Sequence, residues 1–569
     1  MNTVNATPLR DHRAQPLAPL LDQAWDVLII GGGITGAGIL LEASRCGLKA
    51  LLVEQRDFAW GTSSRSSKLV HGGLRYLKEG QLRLTRDSVR ERQRLMHEAN
   101  GLVSPQSFAF ADYRGRKPGR WLFQIGLAVY DRLAGTRARH YYPADEFLLL
   151  APHIGRTDLK GGLCYLDAKT DDARLVLRVL QEARSLGGTA INYLGVQQLL
   201  RAHDQADGDV NGVVLCDATR GETFRVHARV VINATGAWAD ALRRQQGGQA
   251  RLRPLRGSHL VLPAWRLPVA QAISLMHPQD GRPVFAFPWE GATLVGTTDV
   301  DHAGDLQQEA TITPAEARYL MAALTFQFPQ LQLTPDDVIA TYAGVRPVID
   351  TGRADPSREG RDHAVWMEQG LLTVTGGKLT TFRLIALDAL QRVAPLFPHW
   401  KNAVQATPLL TPCDELPLSA GLTTHQRQRL QGHYGPLAAA VVAAAQAGEL
   451  HTISGTETLW VELRWAARSE AVVHLQDLLL RRTRLGLLLR AGGAALLPRI
   501  RSICQAELGW DDARWAAEQT AYLALWQQHY SPAPSAPASA PTSPPTSPPT
   551  SPPTSPPIAA PNTPGSVHV

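Results

Sequence analysis

The stretch WDVLIIGGGITGAGILLEASRCGLKALLVEQ, Trp25 to Gln55, constrains the fold more than any other part of the chain. The apolar run Val27 to Ile30 predicts a buried strand, the Ala- and Leu-rich segment after the glycines predicts a helix, and Ala50 to Val53 predicts a second strand ending at Glu54. Gly31, Gly33 and Gly36 take the GxGxxG positions, which permit a tight turn, close backbone approach to a pyrophosphate and close packing of helix on strand. Phosphate charge then lies at the helix N-terminus, and Glu54 is placed to accept from the ribose hydroxyls of an adenosine. Strand, spacing and terminal acid agree, so the segment is read as half of a dinucleotide-binding domain.

Two later segments repeat the strand-then-glycine pattern. HARVVINATGAWAD runs Val230 to Ile232 into the turn Ala234-Thr235-Gly236, and LLTVTGGKLTTFRLIALDAL runs a strand into Gly376-Gly377 and then a helix from about Leu379. The nucleotide domain is therefore discontinuous, as expected where a long cofactor such as FAD needs several strand ends, and it is assigned to residues 25–113, 156–255 and 343–395. The β-branched runs RGSHLVLP, GRPVFAFPWEGATLVGTTDV and VIATYAGVRPVID, with glycine and proline punctuation, predict a sheet that covers the substrate, residues 256–342. Residues 405–530 predict a helical domain, with Val472, Leu475 and Leu479 at helical spacing. Residues 1–24 are expected to be a flexible extension. Residues 531–569 carry PTSP repeats with too little apolar content to fold.

Composition narrows the chemistry. The 58 basic and 51 acidic residues give a net charge of +7, which suits a phosphate-bearing substrate, nucleic acid or an anionic membrane face without choosing among them. Five cysteines, Cys46, Cys164, Cys216, Cys413 and Cys504, lack metal-ligand spacing, so neither a zinc site nor a disulfide scaffold is expected and a reducing compartment fits. No run of eighteen apolar residues and no apolar leader is present, so neither a transmembrane helix nor a signal peptide is expected and membrane association would be peripheral.

The loop after Glu54 reads TSSRSSKLVHGGLRYL, Thr62 to Leu77. In a doubly wound sheet such a loop runs along the ligand at the strand ends. The hydroxyls of Thr62, Ser63, Ser64, Ser66 and Ser67 suit pyrophosphate or ring acceptors, and Gly72-Gly73 lets backbone approach a ring. His71, Arg75 and Tyr76 add an imidazole, a bidentate anion-binding fork and a phenol.

The chain resembles the FAD-dependent aerobic glycerol-3-phosphate dehydrogenases. The resemblance rests on IIGGGITGAG, TSSRSSKLVHGGLRYL, TDDARLVL, NATGAWAD, RGSHLVLP, FPWEGATLVGTTD, TYAGVRPV and TGGKLTTFR, in family order from about Asp26 to Leu390, with LLRRTRLGL in the helical region. It implies an α/β Rossmann-like FAD domain, a mixed or antiparallel β-sheet substrate cap and a C-terminal all-α domain. It also implies oxidation of sn-glycerol 3-phosphate to dihydroxyacetone phosphate, with electrons passing through FAD to membrane ubiquinone.

By that resemblance Arg75, Tyr76 and Arg361 face the phosphate, while Arg346 and Lys378 lie beside the reacting carbon. His71 and His259 are both candidate bases that residue type does not separate, with a charge-lowered lysine or a water as further alternatives. Asp299 is expected to be structural. Cofactor contacts are expected from Gly31, Gly33, Ile34, Thr35, Gly36 and Glu54, from Thr62, Ser63, Ser67, Leu69, Gly72 and Gly73, and from Thr235, Gly236, Gly377, Lys378, Leu379 and Thr380. Thr35 replaces an asparagine common in the family, and Asp362-His363 follows Arg361 where aspartate-tyrosine is usual.

The segment from Arg114 to Tyr142 places Arg116, Lys117 and Arg120 ahead of Trp121, Phe123 and Ile125, a pattern suited to insertion at an anionic membrane surface. The expected location is peripheral, on the cytoplasmic face of the inner membrane, with no nucleic-acid partner and a homodimer left open. Three rivals remain: an oxidase passing electrons from the same substrate to dioxygen, another flavoenzyme of the glycine and D-amino-acid oxidase class, and a non-catalytic flavin-binding module.

Overall fold

The computed structural model describes residues 7–9, 12–74, 80–116, 119–135, 137–202, 205, 208–353, 359–360, 362–397, 408–418 and 421–532. Arg75, Tyr76, Lys117, Arg361 and the PTSP repeats lie outside the described residues.

Among the described residues the first sheet has eight strands, five of them parallel in the order Leu371–Gly376, Thr223–Asn233, Trp25–Ile30, Ala50–Val53 and Thr189–Ile191, with Leu194–Arg201 and Val210–Asp217 added antiparallel beside Thr223–Asn233. His363–Glu368 adds an antiparallel edge. The central strands are buried along nearly their whole length, which accounts for their continuous apolar runs. Helix Ile34–Arg45 is flanked by helices Asp172–Ser185 and Phe382–Val393 on one face. The strands that supply Glu54, Thr235 and Gly377 thus end on one side of the sheet, although they lie hundreds of residues apart in sequence.

Among the described residues the second sheet has ten strands and is mixed: Ala272–Met276 pairs parallel with Val103–Tyr113, and the other pairs are antiparallel. Toward one end of it a long antiparallel pair joins Leu252–Pro263 to Ala340–Ile349. Leu69–Val70, Val103–Tyr113 and Leu159–Thr170 also belong to it. The second sheet is therefore wider than the expected substrate-covering span 256–342, and the spans 25–113, 156–255 and 343–395 are divided between the two sheets. Alternation read along one segment does not reveal that such distant segments pair.

The N-terminal extension also differs from expectation where it is described. Leu17 and Leu21 are buried with Trp25 and Val213, and Arg13 reaches Asp217 (Nε to Oδ2, 3.1 Å). A buried ion pair and two core leucines hold residues 12–24 against the nucleotide sheet.

The C-terminal helices include Thr424–Tyr434, Trp460–Ser469, Leu497–Leu508 and Asp512–His529. Leu475, Leu479 and Ile500 pack in one core with Trp289 and Tyr342 of the second sheet. The helical pattern is interrupted after Ser469, where Ala471 has φ +50°. Here Glu470 turns to accept from Arg174 (Nη2 to Oε2, 3.0 Å), so an interdomain ion pair replaces a continuous helix.

Candidate active site

Gly31 has φ +116°, and a Cβ there would lie 2.6 Å from the Ala234 carbonyl oxygen. At Gly36 a Cβ would lie 1.9 Å from the Gly31 oxygen. Both positions therefore require glycine for close backbone approach. Helix Ile34–Arg45 begins with no capping side chain of its own; Ser63 from the following loop accepts from the Ile34 N–H (3.0 Å). Its first turn faces a cavity of about 350 Å³ lined by Gly33, Ile34, Thr35, Glu54, Thr62 and Ser63 on one side. Thr235, Gly236, Gly377, Lys378 and Leu379 close the other side. The Glu54 carboxylate accepts from Gly32 N–H (2.7 Å) and Arg56 N–H (2.9 Å), and burial pushes its pKa up against those bonds.

A second cavity, of about 370 Å³, shares Thr62, Ser66, Pro347, Gly377, Lys378 and Leu379 with the first. Ser67, Leu69, His71, Gly73, Thr380 and Arg346 line it as well. An elongated ligand can therefore run from the helix N-terminus past Gly377 into the second cavity. A helix N-terminus facing the cavity, the two close-approach glycines and the Glu54 carboxylate in its wall fit a dinucleotide bound in this way.

The loop from Thr62 to Gly73 is wired mostly to the protein. Lys68 is fully buried, with Nζ donating to both Asp172 oxygens (2.8 and 3.0 Å) and to the Ser64 carbonyl (2.8 Å). Burial lowers its pKa to about 8, against the pull of Asp172. Ser66 Oγ donates to Asp172 (2.7 Å), and Thr62 Oγ1 donates to the Val345 carbonyl. Gly72 does not line either cavity: its N–H donates to Asp167 (3.0 Å), and a Cβ there would strike Tyr130. Asp167 also accepts from Arg92 (2.7 Å) and Tyr130 (3.0 Å), fixing the loop to two helices. The hydroxyl cluster thus shapes the loop as much as it faces a ligand.

The second cavity brings together His71, Arg346 and Lys378. Lys378 Nζ donates to Ser88 Oγ (3.0 Å), from the helix Leu82–Glu98. Arg346 is held by Asp299 (Nη1 to Oδ1, 2.8 Å) and by Thr297 Oγ1 (3.1 Å). His259 is set back from the cavity and only 1% exposed. It stacks on Tyr342 at 4.6 Å and shares a 2.9 Å bond with Ser67 Oγ. Burial, with Arg346 and Lys68 nearby, pushes its pKa well below the ordinary histidine value.

Several wall residues carry no sequence signal. Trp60 and Trp238 line the first cavity with their rings 5.6 Å apart, and Trp60 Nε1 donates to Glu309 (3.0 Å). Arg65 pairs with the same Glu309 (2.9 Å). Arg282 lines the second cavity, and Ser88 holds Lys378 at it, only through tertiary contact.

On helix Arg120–Ala134, Trp121, Leu122 and Ile125 are 74%, 68% and 62% exposed. Phe123 points the other way and stacks on Phe110 at 4.5 Å, so it does not belong to the outward face. Its position two residues from both Trp121 and Ile125 puts it near the opposite side of the helix. Arg120 lies over the Tyr141 ring and Arg116 over Tyr113. No helix among the described residues is long and apolar enough to cross a membrane.

Fold and site define a flavin-dependent oxidoreductase: residues 26–383 match the FAD dependent oxidoreductase family, and residues 392–515 match the C-terminal domain of alpha-glycerophosphate oxidase. The aerobic glycerol-3-phosphate dehydrogenase of Staphylococcus epidermidis is 40% identical over 398 residues, 68% of this chain and 70% of that protein. Its Staphylococcus aureus counterpart is 34% identical over 497 residues, 82% of this chain and 87% of that protein. The glycerol-3-phosphate dehydrogenase from Bacillus halodurans, solved with FAD, superposes with a TM-score of 0.70 at 28% identity, covering 90% of this chain and 96% of that one. The chain belongs to the FAD-dependent glycerol-3-phosphate dehydrogenase family, and its cofactor is FAD.

Proposed function

We propose that the protein oxidises sn-glycerol 3-phosphate to dihydroxyacetone phosphate in the second cavity and passes the electrons to a membrane quinone. The observation that carries this reading is the convergence of Arg346, Lys378 and His71 on a cavity that shares a wall with the dinucleotide site. Bound FAD supplies the two-electron acceptor for a hydride from the alcohol carbon. Arg346 and Lys378 direct N–H donors at the substrate oxygen as it gains negative charge. The hydroxyl proton goes to a base, and a carbonyl forms.

His71 is the better placed of the two histidines, because it lines the cavity. His259, buried and neutral, acts behind Ser67 by fixing that hydroxyl. Arg75, Tyr76 and Arg361 are the proposed phosphate-side residues.

A quinone acceptor is supported by the outward face of Trp121, Leu122 and Ile125. Such a face suits a peripheral helix whose apolar side chains enter the interface while arginines stay at anionic headgroups. The test is anaerobic. Glycerol 3-phosphate should bleach the bound flavin, and a ubiquinone analogue should restore its colour. Rapid reoxidation by dioxygen with release of peroxide, and none by the quinone, would make the protein an oxidase.

A further inference from the structure

The guanidinium of Arg346 does not face the second cavity alone. Its Nη1 donates to Asp299 Oδ1 (2.8 Å) and to the Thr298 carbonyl (3.4 Å), and its Nη2 donates to Thr297 Oγ1 (3.1 Å). It lies across Gly257, where a Cβ would come within 2.4 Å of Nη2. Asp299, Thr297, Gly257 and Arg346 all line the cavity, so this ion pair forms part of the substrate wall. The neighbouring Arg282 is also paired, with Asp280 (2.8 Å), and its Nη1 donates to the Asp299 carbonyl (3.3 Å).

An arginine normally takes a carboxylate through two parallel N–H bonds from adjacent nitrogens. Here Nη1 already serves a protein carboxylate, so the Nη1–Nη2 edge is not open to a second one. A ligand carboxylate brought to this guanidinium would also stand within a few ångströms of Asp299, where like charges in a partly buried site repel strongly. A hydroxyl or carbonyl oxygen meets neither obstacle, since it is neutral and needs a single donor.

We infer that Asp299 is a specificity-determining residue: by occupying one side of the Arg346 fork it rejects ligands with a carboxylate at the reacting end and admits phosphorylated alcohols. This rests on the reading that Arg346 lies beside the reacting carbon. It assigns chemical work to a residue whose sequence context indicates only a structural role.

The probe is 3-phosphoglycerate, which keeps the phosphate and the secondary hydroxyl of glycerol 3-phosphate but carries a carboxylate in place of the terminal hydroxymethyl. Its binding to the flavin-loaded full chain is read by perturbation of the flavin spectrum and by competition against glycerol 3-phosphate. The wild-type protein should bind it at least tenfold more weakly than glycerol 3-phosphate. Asp299→Asn and Asp299→Ser should shrink that ratio at least tenfold, and Asp299→Glu, which keeps the charge, should preserve most of it. Equal binding of the two ligands by the wild type would overturn the inference without any variant. So would an unchanged ratio in flavin-loaded Asp299→Asn or Asp299→Ser. Failure of glycerol 3-phosphate to bleach the wild-type flavin would instead overturn the functional reading, a separate outcome.

Discussion

Asp57 and Arg482 meet through two parallel bonds, Nη1 to Oδ2 at 2.7 Å and Nη2 to Oδ1 at 2.8 Å, with both side chains fully buried. Arg481 donates to the same carboxylate through Nε. Asp57 follows the second strand of the nucleotide sheet, whereas the arginines belong to the C-terminal helical region, so this cluster joins the two. A matching pair lies nearby: Arg484 donates to Asp171 (2.8 Å) and to Asp172. Lys68, in the loop from Thr62 to Gly73, shares Asp172.

Removing the Asp57 carboxylate takes away the ion-pair partner of the buried Arg482 and leaves Arg481 with Asp477 alone. Asp57→Ala should cost about 3–5 kcal/mol, the range for breaking one side of a buried pair. The thermal unfolding midpoint of the flavin-loaded protein measures it; an unchanged midpoint would contradict the role given to this cluster.

The same pair sets an acid limit. Burial alone would raise the Asp57 carboxyl, but Arg482 and Arg481 outweigh it and hold the pKa down at about 2. A carboxylate held below its unfolded value of about 3.9 contributes stability that is complete above that pH and is lost as pH falls towards 2. His259 acts in a higher range. Its folded pKa is depressed, so the unfolded chain takes up a proton below about pH 6.5 that the folded chain refuses, and stability falls as pH drops through that region. His259→Gln should flatten the stability profile between about pH 6.5 and 5; a profile identical to wild type would contradict a buried neutral imidazole.

At the cofactor, Gly36→Ala would set a methyl 1.9 Å from the Gly31 carbonyl oxygen. The turn and helix must separate, and flavin should be lost. Flavin content after purification should fall about tenfold or more, in keeping with the close approach this motif requires. A fully loaded variant would refute the tight glycine turn.

The GxGxxG turn, Glu54 and the strand ends were legible in the sequence because each is set by short-range spacing. The second sheet was legible only in part: RGSHLVLP, GRPVFAFPWEGATLVGTTDV and VIATYAGVRPVID read as strands, whereas Val103–Tyr113 and Leu159–Thr170 join it only by pairing with segments distant in sequence. LLRRTRLGL shows helical apolar spacing, yet its arginines are buried because their acids come from residues 57, 171 and 172. Ser88, Trp60 and the pairing of Asp299 with Arg346 depend likewise on distant chain segments meeting. The two histidines illustrate the same limit: residue type made them equal, and only burial separates His259 from His71.

The outward face of helix Arg120–Ala134 makes a further prediction. Replacing Trp121 and Ile125 together by serine removes two of its most exposed apolar side chains. Binding to vesicles containing anionic lipid should weaken at least about tenfold, in line with the apolar area removed from the interface. Flavin bleaching by substrate in solution should stay as in wild type. Undiminished vesicle binding would assign membrane contact to another surface.

In the cavity, His71→Asn should lower kcat/KM by about 10²- to 10⁴-fold if this imidazole takes the hydroxyl proton. His259→Asn should lower it far less, because it acts through Ser67. The reverse order would make the buried histidine the base.

The most direct measurement is stopped-flow reduction of the flavin by glycerol 3-phosphate, without oxygen, in wild type and in flavin-loaded Arg346→Ala and Lys378→Ala. The wild-type flavin should bleach in a single turnover, and each variant should reduce about 10²-fold or more slowly, the size expected for losing a donor to developing charge. Variants that reduce as fast as the wild type would show that hydride transfer takes place somewhere other than the cavity these two cations share.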